Sequence, residues 1–176
     1  MKTFRLSRMI VFIIVAILLL VFNEFFLHNL RWFIGGLIVV YGSLGVLALV
    51  LAKKKPVYEG KGFLFFAVEI LLGLTTLCFI EEYATVCVIW AVWSILRESV
   101  ELEEIVEREL HPALAVVSGL ESVAVIVHSV TLMIEPGEHH AMTHSYLLCV
   151  ELVLSGLIPV LNRRLKPEKE GREEIL

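Results

Sequence analysis

The chain has no CxxC pair, no HExxH, no Gly-rich phosphate loop and no G-x-S-x-G nucleophile elbow. Three cysteines, Cys78, Cys87 and Cys149, all lie within apolar runs and show no Cys/His spacing typical of zinc. Enzyme is therefore the class with least support, no cofactor is implied and no metal site is read. Basic residues form no single patch, which leaves nothing for a nucleic acid to bind. Charge is scarce outside short clusters. Between the clusters lie long apolar runs: 58% of the 176 residues are apolar and mean hydropathy is +0.84, against about 45–50% apolar in soluble domains.

Six apolar stretches stand out, at 9–22, 32–52, 63–80, 83–96, 113–134 and 141–161. A spanning helix needs roughly 20 residues, and four of the stretches reach or approach that length. The first can extend to Leu27. The fourth can run past Arg97 if that side chain reaches the interface. The expectation is an all-α polytopic transmembrane bundle of six spans, with the lipid bilayer as its first partner. The basic start (Lys2, Arg5, Arg8) is followed by no small-x-small cleavage site, so it reads as an uncleaved first span.

Six spans put fourteen of the fifteen Lys and Arg on one side and only Arg31 on the other. That bias predicts a cell (cytoplasmic or inner) membrane protein with both termini in the cytoplasm. The opposite turns are short and acidic: Asn23-Glu24, Glu81-Glu82, and Glu135 to His140. They divide a single membrane domain into three tandem helical hairpins, 9–52, 62–110 and 113–161, followed by a cytoplasmic tail, 162–176. The segment 97–110 is rich in Glu and reads as a helical extension, either a solvated connector or a docking surface for a basic cytoplasmic protein.

The second span carries Gly35, Gly42 and Gly45 on one face, a helix-packing feature that lets a neighbour approach closely. Tandem short hairpins with Gly in the first helix (Glu69-Ile70-Leu71-Leu72-Gly73-Leu74) and small residues such as Gly42 and Gly45 in the second resemble the HdeD-like membrane family. The resemblance covers about 9–161 and implies a short-repeat integral membrane protein in acid or envelope stress response. Few turn prolines and the acidic segment after the fourth span depart from that pattern. No site residue carries over from the family.

The last hairpin holds the ionisable residues that ask for a reason. Glu121 and His128 precede the turn Glu135-Pro136-Gly137-Glu138; His144 and Glu151 follow it. Both pairs centre on Pro136, so antiparallel helices bring Glu to Glu and His to His. A charge at mid-membrane costs about 2.5–3.5 kcal/mol on insertion scales, so such residues face the bundle interior. Glu69 falls at a depth similar to Glu121 and Glu151, counting about 1.5 Å per residue. These five are candidates for a proton or ion relay. Glu135, Glu138, His139 and His140 are candidates for its outer rim, and a divalent ion held there by the His cluster stays open as an alternative.

Three functions remain in view. One is an HdeD-like stress-response membrane protein working through the Glu/His ladder. The second is a small proton, ion or solute transporter or channel. The third is a structural or accessory subunit, with homo-oligomerisation open and the Glu/His pairs serving as helix ties.

Overall fold

The computed structural model describes residues 2–51, 61–107 and 110–165. Among these residues seven α-helices follow one another: α1 (Lys2–Val21), α2 (Asn23–His28), α3 (Leu30–Leu51), α4 (Lys61–Phe79), α5 (Tyr83–Glu107), α6 (Pro112–Ile134) and α7 (Glu138–Leu165). Among the described residues there is no strand. Among the described residues four helices are long and apolar enough to cross a membrane: those containing 30–47 and 83–102, together with Pro112–Ile134 and Glu138–Leu165. The apolar parts of α1 and α4, Met9–Val21 and Phe63–Phe79, are shorter.

The distribution of side chains is the reverse of a soluble bundle. Phe79, Ile134, Val50 and Val21 are among many large apolar residues on the exterior. Asn23, Glu69, Ser94, Glu98, Ser122, His144 and Ser145 are buried. Such a pattern suits lipid outside and hydrogen-bonded polar groups inside.

Helix packing does not follow the order of the acidic turns. The most extensive contacts join α3 to α4, α5 to α6, and α1 to α7; α6 meets α7 less extensively. Consecutive helices across two of the three turns, α1 with α3 and α4 with α5, scarcely touch through their backbones. Glycine explains the tightest pair. Gly35, Gly42 and Gly45 of α3 stand against Leu77, Ile70 and Phe66 of α4. On α4, a Cβ at Gly73 would lie 2.7 Å from the Gly35 carbonyl oxygen and 2.8 Å from the Val39 backbone nitrogen. Backbone atoms cannot yield as a side-chain tip can. Gly73→Ala is therefore expected to part α3 from α4 and cost about 1–3 kcal/mol. Gly119→Ala, which meets nothing within 4 Å, serves as the control; thermal unfolding in detergent compares the two.

Two boundaries differ from the sequence expectation. Asn23 is not a turn residue: it begins α2, is buried, and accepts a 2.8 Å hydrogen bond from the Ser145 hydroxyl. The chain reverses at Asn29 instead, and Arg31 then reaches across to the Leu77 carbonyl at the end of α4 (2.6 and 3.1 Å). At the other end of the bundle, α7 continues through Asn162 to Leu165, where a tail was expected. Asn162 receives the His111 backbone N–H at 2.8 Å, tying α7 to the start of α6. The rest of the expected tail, 166–176, lies outside the described residues, as do residues 108 and 109 of the expected acidic extension and Lys53, Lys54 and Lys55 of the charge bias.

Candidate functional site: a polar file through the bundle

The turn Glu135-Pro136-Gly137 joins α6 to α7 and sets their register. With equal numbers of residues on either side of Pro136, His128 comes opposite His144; their rings stack at 5.6 Å with 21° between planes. His128 also donates from Nε2 to the His140 carbonyl at 3.0 Å, and the two rings lie 6.0 Å apart. His140 Nε2 stands 3.5 Å from the exposed Glu135 carboxylate, and His139 packs edge-on to His140 at 5.5 Å. Glu138 points elsewhere. It lines an open groove of about 700 Å³ with Glu24, Phe25, Leu27, His28 and Tyr83.

Deeper in, α5 takes over. His144 is 2% exposed; its Nε2 lies 3.0 Å from Ser94 Oγ, and its ring packs edge-on to Trp90 at 4.5 Å. Its Nδ1 has no hydrogen-bond partner among the described residues. One helical turn beyond Ser94, about 5.4 Å along α5, lies an acidic cluster. Arg97 pairs with Glu151 at 3.5 Å, and its guanidinium covers the rings of Tyr41 at 4.3 Å and Trp93 at 5.3 Å. Glu98, Glu101 and Glu151 each offer an oxygen lying within 4.8 Å of the others. Glu121 joins them: its strongest electrostatic neighbours are Glu98, then Glu151, Glu101 and Arg97. One of its oxygens, Oε1, is buried with no hydrogen-bond partner among the described residues.

Glu69 is held apart from this cluster. It accepts a 2.9 Å hydrogen bond from the Trp93 indole, with the Trp93 ring and Arg97 between it and the other carboxylates. Arg97 pairs with Glu151 of α7, not with Glu69 of α4.

The sequence reading missed Glu98 and Glu101, which it assigned to the acidic extension 97–110. Glu98 is 1% exposed and turned into the bundle, whereas Ser99 and Val100 beside it are exposed. The signal was present. Ser94, Arg97, Glu98 and Glu101 recur at i, i+3, i+4 and i+7, one stripe of a helix. That stripe faces α6 and α7 because α5 and α6 pack along their length.

The arrangement is a succession of exchangeable groups running from Glu135 at the turn end, through His140, His128, His144 and Ser94, toward the carboxylates at the end that carries the termini. Imidazoles and hydroxyls both donate and accept, and carboxylates accept. Comparison with family models, curated proteins and solved structures finds no match for this chain.

Proposed function

We propose that this is a six-span membrane protein that moves protons between its two faces along the Glu/His file. The observation that carries the reading is the contact series His140–His128–His144–Ser94. Each of these side chains can pass a proton; His144 and Ser94 are hydrogen-bonded, the imidazoles of His140, His128 and His144 lie ring to ring at 5.6–6.0 Å, and the series leads toward four clustered carboxylates. With the charge bias placing both termini in the cytoplasm of a cell-membrane protein, acid outside would meet the Glu135 and His140 rim first. The resemblance to the HdeD-like family gives that direction a purpose, acid response, and supplies its only link to physiology.

The test is proton flux into liposomes holding the purified chain, with a pH dye inside and acid outside. Wild type is expected to exceed protein-free liposomes. Glu121→Gln, which keeps shape but removes a titrating group, is expected to cut the flux by about tenfold or more. Wild-type flux equal to that of empty liposomes would defeat the proposal.

One observation favours a second reading, that the buried polar groups are helix ties in an accessory subunit. Ser145 bonds Asn23 across 122 positions of chain, a contact with no part in the file. That reading predicts no flux from the chain alone and a partner that co-purifies from native membranes.

A further inference from the structure

We propose that Glu135, His139 and His140, where α6 turns into α7, form a binding site for one transition-metal dication of the zinc class. The site does not need protons to move along the file, and it stands or falls separately.

Two of the three donors already stand at ligand spacing. His140 Nε2 lies 3.5 Å from a Glu135 carboxylate oxygen. That is longer than an N–H···O hydrogen bond of about 2.7–3.2 Å. It matches two neighbouring ligands on a tetrahedral zinc, which stand about 3.3–3.5 Å apart when Zn–N is about 2.0–2.1 Å and Zn–O about 2.0–2.2 Å. The third donor has to turn, since no His139 nitrogen is yet within 4.8 Å of both others. The turn is short. The His139 and His140 ring centroids lie 5.5 Å apart, and two imidazoles on one tetrahedral ion lie about 5 Å apart. His139 is exposed, so rotation about its side-chain bonds leaves the packing of the bundle untouched.

The backbone beneath these donors is held. The Glu135 N–H donates to the Thr131 carbonyl at 2.9 Å, and the Ala141 N–H to the Gly137 carbonyl at 2.9 Å. His128 donates from Nε2 to the His140 carbonyl at 3.0 Å. Only side chains need to move, which keeps the ordering cost of binding small.

The donor set names the ion. Two imidazoles and a carboxylate, with water in the fourth place, are ligands that zinc takes. Imidazole suits zinc, copper and nickel, whereas Mg2+ and Ca2+ take oxygen. Charge draws a cation to the same place. Glu24, Glu81, Glu82, Glu135 and Glu138 are exposed at this end of the bundle. Among the described residues Arg31 is the one Lys or Arg there, and it is committed to the Leu77 carbonyl and to Glu81. An acidic mouth raises the local concentration of cations. A bound ion would occupy His140 Nε2, the atom by which the file meets Glu135.

The experiment is calorimetric titration of the purified full chain in detergent, free of any polyhistidine tag, with ZnCl2 at slightly alkaline pH, because a metal takes the neutral imidazole. The expected result is one saturable Zn2+ per chain that excess MgCl2 does not displace. His139→Ala and Glu135→Gln, both at exposed positions, are each expected to weaken Zn2+ by about tenfold or more, the least that losing even an outer-shell partner costs. His28→Ala, an exposed histidine at the same end, leaves binding unchanged. Absence of saturable Zn2+ binding overturns the proposal. So does binding that His139→Ala and Glu135→Gln both retain, that His28→Ala weakens equally, or that MgCl2 displaces. Calorimetry needs no flux, so liposomes that stay silent would defeat the proton reading without touching this one.

Discussion

Arg97→Ala is expected to lower the midpoint of thermal unfolding by roughly 6–20 °C. The figure follows from the roughly 3–5 kcal/mol lost when one partner of a buried ion pair is removed, and from about 2–4 °C per kcal/mol for a chain of this length. The loss is large because Arg97 does three things at once. It pairs with Glu151, and it covers the Tyr41 and Trp93 rings. Without it Glu98, Glu101, Glu121 and Glu151 face one another with no positive group among them from the described residues. Arg97→Lys keeps the charge but has no planar fork to lie on two rings while meeting a carboxylate, so it is expected to recover only part. Glu151→Leu added to Arg97→Ala should recover part as well, since removing both partners leaves fewer charges stranded. Tryptophan fluorescence during heating in detergent reads all three, with Trp93 beside the change. An Arg97→Ala midpoint within about 2 °C of wild type would mean that the cluster carries little net charge.

The second large effect concerns the file. His144→Phe keeps a ring against Trp90 and His128 but has no nitrogen to meet Ser94. If protons pass here, flux into liposomes is expected to fall by about 10²-fold, the lower end of what a positioned proton-transfer group contributes. Stability should fall by about 1–3 kcal/mol for a buried Ser94 hydroxyl left without its partner. The split between the two readouts is the diagnostic. A helix tie would move stability and leave flux at the level of empty liposomes in both proteins. Unchanged flux in a conducting wild type would route protons around His144.

How much of this could be read from the sequence depends on how far apart the interacting residues lie. The meeting of His128 with His144, and of Glu121 with Glu151, follows from counting outward from Pro136, because a short turn leaves two helices only one register. Glu98 and Glu101 escaped the same reading. A stretch dense in Glu suggests water, and composition overrode the three-and-four spacing that puts Ser94, Arg97, Glu98 and Glu101 on one stripe. Asn23 was misread for a similar reason: beside Glu24 it resembles a polar turn, and its partner Ser145 is more than a hundred residues away. The pairing of α1 with α7 leaves no local trace at all. Of the four helices long and apolar enough to cross a membrane, three match apolar runs of that length in the sequence; the fourth contains 83–102, whose apolar run is broken at Arg97, while the run 63–80 gives the shorter Phe63–Phe79.

That last pairing has a consequence for how the protein is made. Gly156 of α7 packs against the backbone of Met9, with 3.3 Å between the Met9 Cα and the place where a Gly156 Cβ would sit. The ribosome delivers α1 first and α7 last. The α3–α4 and α5–α6 pairs can form as soon as each second helix emerges, because their contacts are close in sequence. α1 must wait, with Asn23 lacking its Ser145 partner, until α7 has been synthesised. A nascent chain stalled before residue 138 would hold two finished pairs and one unattached helix, which is the form a membrane quality-control protease would meet.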